Sequence, residues 1–157
     1  MNVSAHASVE IPRPAAEVFD LTTSCEDLPR FMHAFGPIPG VARAEMVGGA
    51  APKTGTERRV HMTDGSVVGE ELLAYERPTR HRYRWLEPPA FPFSLLVRSG
   101  EGDWRFSPTN GGTRIEWDYR FELTSPLVWP LALPVTFLFR RWMRGALLRA
   151  RSLLAPS

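Results

Sequence analysis

The sequence has a single cysteine, Cys25, which excludes an internal disulfide framework and any zinc site built from cysteines. It has no G-x-G-x-x-G run, since Gly100-Glu101-Gly102 reads as part of a hairpin, and its only lysine, Lys53, stands in no Walker-type loop. Nucleotide binding therefore has no motif to rest on. The four histidines, His6, His33, His61 and His81, show neither HxxxH nor HExxH spacing, so no metal and no other cofactor is assigned. Long hydrophobic runs are missing too. The longest, Leu127–Phe139, falls short of the ~20 residues that span a bilayer and contains Pro130 and Pro134. The opening MNVSAHASVEI has no basic n-region and no continuous apolar h-region, so a cytoplasmic protein without a secretory signal is expected.

What is present suffices for a core. The 157 residues, 43% hydrophobic and 23% charged, predict one domain spanning 1–157. Residues 3–11 alternate, with Val3, Ala5, Ala7, Val9 and Ile11 on one side, as in a half-buried strand. Pro14 suits the first position of a short helix over 14–22. Ser24 and Asp27 form a capping pattern, and Leu28, Phe31, Met32 and Phe35 recur at helical spacing, predicting a second short helix. From Val41 to Thr124 the helical period gives way to strands near 41–48, 55–62, 66–76, 80–87, 94–107 and 112–124. Gly48-Gly49, Asp64-Gly65 and Asn110-Gly111 supply hairpin turns. A long helix follows, regular from about Pro134 to Leu154, its apolar stripe including Phe139, Trp142, Met143 and Ala146. The expected class is α+β: a curved seven-stranded antiparallel sheet wrapped around the C-terminal helix, with two short helices after the first strand.

This order resembles the helix-grip (START/Bet v 1-like) fold of the START-like SRPBCC superfamily, in its polyketide cyclase/dehydrase-like branch. The carriers are the opening Val9-Glu10-Ile11-Pro12-Arg13-Pro14, the Gly55-Thr56-Glu57-Arg58 strand start, Glu71-Leu72-Leu73-Ala74-Tyr75-Glu76-Arg77-Pro78, and Gly112-Thr113-Arg114-Ile115. They mark turns and core positions. The resemblance implies a deep apolar cavity between helix and sheet, used by different relatives for lipids, sterols, polyketides, aromatic compounds or hormones. It implies no catalytic signature, and none is assigned.

The binding candidates are aromatic. Tyr83, Trp85, Trp104, Phe106, Trp117, Tyr119 and Phe121 share inward strand phases, and Leu138 and Trp142 approach from the helix. His81 shares the parity of Tyr83 and Trp85. These rings either fill a solid core or line a pocket with a few polar groups. One of the adjacent Glu70 and Glu71 faces inward wherever the alternation is unbroken, and a bulge at Gly69 would reverse which one; the inward carboxylate is paired with Arg82, Arg84 or Arg98, or else unpaired and fit for acid–base work. Binding of a small hydrophobic, lipid-like or aromatic molecule is the leading expectation, and a cyclase/dehydratase using an inward Glu or His is the alternative.

Charge is unevenly spread. The chain carries a net +2, yet Arg140, Arg141, Arg144, Arg149 and Arg151 follow Phe139 without one acidic residue. This basic end reads as a solvated helix face, as a peripheral membrane contact next to the apolar stretch 127–139, or as a nucleic-acid footprint. Five arginines without an exposed aromatic platform are too thin for the last, so no nucleic acid is expected.

Overall fold

The structure, a computed structural model, describes residues 1–155. Strand β1 (Asn2–Ile11) leads into helices α1 (Ala15–Thr23) and α2 (Leu28–Phe31). Strands β2 (Val41–Met46), β3 (Glu57–Met62), β4 (Val67–Glu76), β5 (Arg80–Trp85), β6 (Val97–Thr109) and β7 (Gly112–Leu123) follow, and helix α3 (Trp129–Leu154) closes the chain. The strands form one antiparallel sheet in the order β1-β7-β6-β5-β4-β3-β2, so only the β1–β7 pairing joins distant parts of the sequence. Helix α3 packs chiefly along β1 and against α2.

Alternation decides the faces. Along β7, Thr113, Ile115, Trp117, Tyr119, Phe121 and Leu123 are buried toward the helix, while Arg114, Arg120 and Glu122 meet water. On the outer face Arg80 pairs with Asp103, Arg82 with Glu101 and Arg84 with Glu71. Exposed pairs of this kind stabilise a fold by only about 0–1 kcal/mol each.

Three boundaries differ from the sequence expectation by three residues or more. Helix α2 ends at Phe31, because the Met32 carbonyl is taken by the Val41 amide at 2.8 Å and Phe35 turns away to bridge Ile38. Strand β6 begins at Val97, behind a 3-10 turn at Phe93–Leu95. Helix α3 starts at Trp129, five residues before Pro134. Pro130 falls in its first turn, where an amide N–H has no partner to lose, and Ser125 Oγ accepts the Leu127 N–H just before it. Pro134 removes one bond, to the carbonyl of Pro130, on a side of the helix that water reaches.

A cavity with a polar floor

The sheet's inward rows do not pack uniformly against α3. Toward one end the rings close up. Trp104 stacks on Trp117 with centroids 4.2 Å apart, Trp117 lies 5.8 Å from Trp142, and Phe19 of α1 meets Phe106 edge-on at 5.2 Å. Toward the other end a cavity opens between β3–β5, β7 and the first half of α3, roofed by Ala132, Val135, Thr136 and Phe139. It holds about 150 Å³ of space that water centres can occupy, against the roughly 10–15 Å³ that one water needs. The exposed Asp64 and Ala90 border its lining, which places the opening between the β3–β4 turn and the β5–β6 loop.

The sequence candidates divide accordingly. Tyr83, Trp85, Tyr119, Phe121 and Trp142 line the cavity. Trp104, Phe106 and Trp117 are buried in the solid end, and Leu138 lies outside the lining, half-buried against the core. His81 also stays out, packed among Phe19, Tyr75 and Tyr83. Strand parity fixes which face a side chain occupies, but distance along the strand fixes which end, and parity is silent on that.

Two glycines of the Gly100-Glu101-Gly102 run shape the wall. Gly100 and Gly102 sit at inward positions of β6, in mid-strand and not beside a hairpin. A Cβ at Gly102 would stand 2.5 Å from Tyr83 Cζ, and one at Gly100 2.8 Å from the Trp85 indole. Both rings therefore lie flat across β6 where side chains would otherwise stand. Trp85 Nε1–H donates to the Tyr119 hydroxyl at 3.1 Å, and Trp104 Nε1–H to the Tyr83 hydroxyl at 3.4 Å. Each phenol accepts an indole N–H, and the two hydroxyls also interact with each other, which leaves one hydrogen of the pair to donate. Burial, with Glu70 adding, pushes Tyr83 up to about 12; burial, with Tyr83 adding, pushes Tyr119 well above the usual phenol range. Both stay protonated at neutral pH.

The polar floor is an ion pair. Glu70 is the inward carboxylate, and its partner is none of Arg82, Arg84 or Arg98 but Arg58, directly opposite it in the β3–β4 register. Arg98 pairs instead with Glu122, and no bulge intervenes at Gly69, because the register slips only past Leu72. Arg58 donates through Nε and Nη2 at 3.0 and 2.7 Å, both to Oε1, with the two side chains only 5% and 7% exposed. The Arg58 guanidinium also lies 5.3 Å over the Tyr83 ring. Burial opposes its charge, yet Glu70 and Tyr83 together hold it above the ordinary arginine value. Both Arg58 bonds fall on Oε1, so among the described residues no side chain or amide donates to Glu70 Oε2, and the buried Trp142 Nε1–H has no acceptor. Burial also pushes the Cys25 thiol up, against the pull of Arg58, so this half-buried cysteine is no ready nucleophile.

The sequence profile of the polyketide cyclase/dehydrase and lipid transport family matches residues 2–155. The chain belongs to this family. Solved structures share its Bet v 1-like fold at low identity. The major latex-like protein 151 of Panax ginseng is 13% identical over 99% of both chains, with a TM-score of 0.72. The Thermus thermophilus protein TTHA0849 is 24% identical over 97% of both, at 0.69. The di-domain ARO/CYC BexL from the BE-7585A biosynthetic pathway is 18% identical at 0.73; 99% of this chain matches 51% of that one. No curated protein matches the sequence significantly. A family whose description spans both enzymes and transporters leaves the role to the cavity itself. Among the described residues no helix is long and apolar enough to cross a membrane.

His81 gives this family member a testable acid sensitivity. Neither ring nitrogen has a hydrogen-bond partner; burial, helped by the Arg58 charge, lowers its pKa well below 6.5, while the Ala74 carbonyl opposes this without reaching hydrogen-bond geometry. The folded ring stays neutral where the unfolded one takes up a proton. Its contribution to stability is thus complete above ~6.5 and is lost as pH falls toward the depressed folded value. Urea unfolding of the wild type is expected to show a midpoint that falls between neutral pH and pH ~5, with His81→Phe flattening that limb. An identical slope in both proteins would contradict this account.

Proposed function

We propose that the cavity binds a neutral, ring-containing apolar molecule carrying a hydroxyl or carbonyl group, and that the protein sequesters or transfers it. The observation that carries this reading is the self-neutralised floor. Arg58 and Glu70 cancel each other's charge, leaving Glu70 Oε2 to accept from a ligand hydroxyl, and the Tyr83–Tyr119 hydroxyl pair and the Trp142 N–H to reach a ligand carbonyl. A ligand carboxylate gains no free cation there and loses its hydration. The flat rings of Tyr83, Trp85 and Phe121 suit a planar guest, and burial at ~25 cal/mol per Å² of apolar surface supplies affinity.

The competing reading, a cyclase or dehydratase, draws support from the family description and from the ARO/CYC neighbour. It calls for a group that gives and takes a proton near neutrality. Glu70 is committed to Arg58, both phenols stay protonated, and His81 is behind Tyr83, so the geometry favours binding over turnover.

Titration with a neutral hydroxylated polycyclic aromatic is expected to quench tryptophan fluorescence from Trp85 and Trp142. A fatty acid of similar size is expected to bind roughly tenfold more weakly or worse. Val68→Trp, on a partly buried lining position opposite Val60, fills the space and abolishes uptake. Failure of every aromatic, sterol and fatty acid in a panel to bind the wild type would end this reading.

A further inference from the structure

The solvent side of α3 is apolar where a covering helix is normally polar. At 3.6 residues per turn, Leu131, Leu133, Pro134 and Phe137 lie away from the buried Ala132, Thr136, Met143 and Ala146. Leu131 is 64% exposed and Phe137 54%, while Leu127, just before the helix, reaches 88%. The same side then turns basic with the exposed Arg140, Arg141 and Arg144, and no acidic residue follows Glu122. Arg141 lies 5.8 Å over the Phe137 ring, so tip and collar are contiguous. Exposed Phe91 and Leu95 project from the β5–β6 loop, which Thr124 ties to the start of this segment through the Leu95 and Leu96 carbonyls. Loop and helix border the same cavity.

We propose that this apolar tip and its arginine collar dock the protein on an anionic lipid bilayer. Charge selects that occupant. A second copy would set the collar against an equally acid-free α3, whereas anionic headgroups pair with each arginine. Arg149 takes no part, since its Nη1 is held by the Phe31 carbonyl at 3.0 Å. Docking would bring the β5–β6 side of the cavity opening close to the lipid.

The test is co-sedimentation of the ligand-free protein with phosphatidylcholine vesicles, with and without about one-third phosphatidylglycerol, at low and high salt. Binding is expected to require phosphatidylglycerol and to fall at high salt. Leu131→Ser/Phe137→Ser is expected to weaken it roughly tenfold or more. Arg140→Gln/Arg144→Gln is expected to remove roughly fivefold per charge. All four side chains are exposed, so an unchanged melting temperature should accompany both variants. Val68→Trp, which blocks the cavity, should dock like the wild type, so failure of docking and failure of ligand binding are separately visible. The proposal is overturned if the wild type does not sediment, or if the Leu131/Phe137 variant sediments equally well. It is also overturned if sedimentation is absent and ultracentrifugation shows a dimer that this variant dissociates, which would give the face to a second copy.

Discussion

Arg58→Met is expected to destabilise the protein by about 3–5 kcal/mol, the largest loss foreseen for any single substitution in the cavity. The physical cause is not the value of the ion pair itself. Taking two charges out of water costs several kcal/mol each, and their attraction roughly offsets that cost. Removing Arg58 alone leaves Glu70, only 7% exposed, without its two donors and facing a largely apolar cavity. Arg58→Met/Glu70→Leu removes both charges at similar volume and is expected to recover most of the lost stability. Denaturant midpoints of the wild type, the single and the double variants provide the measurement. If the double variant unfolds as early as the single, stranded charge is not the cause. The same double variant should still enclose an apolar cavity but lose its preference for hydroxylated over plain aromatic guests. That outcome would separate the pair's role in selecting a ligand from its part in the fold.

Gly102→Ala is expected to be the second largest effect. In a strand interior alanine ordinarily gains about 0.5–1 kcal/mol over glycine, so the sign here is set by contact alone. The new Cβ would stand 2.5 Å from Tyr83 Cζ, where carbon atoms settle at ~3.5–4.0 Å. Tyr83 cannot swing aside freely: it is buried, flanked by His81 at 5.2 Å and Tyr119 at 6.0 Å, and lies beneath the Arg58 guanidinium. Overpacking of this kind costs about 1–3 kcal/mol. Gly100→Ala faces the half-buried Trp85, which has room to move toward solvent, so its cost should be smaller. Thermal unfolding and near-ultraviolet circular dichroism of the two variants would rank them. An equal or reversed order would mean that Tyr83 is freer than its packing suggests.

The division between what was legible early and late runs through single strands. In β7 the alternation of Ile115, Trp117, Tyr119 and Phe121 with charged residues marked the inner face from the sequence. It could not reveal that Trp117 closes the core while Tyr119, two residues on, borders the cavity. On β4 the pair Glu70-Glu71 announced one inward carboxylate, but its partner depended on pairing register. Arg58, on the preceding strand, stands directly opposite Glu70, while Arg84 on the next strand is taken by Glu71. Gly100 and Gly102 carried a signal that was available in principle: two small residues at inward positions of a strand invite the rings of a neighbour. In α3 the apolar run and the arginines were visible, whereas the exposure of Leu131 and Phe137 was not.

The sequence by itself determined the element order, the inner face of each strand and the turns that permit antiparallel pairing, because periodicity and backbone preference act over a few neighbouring residues. Only the tertiary structure decided where the helix stands off the sheet, which charges meet at the floor of the gap, and which apolar side chains are left to the outside. Those outcomes depend on distances between segments far apart in the chain, and such distances are set by how all the side chains pack together.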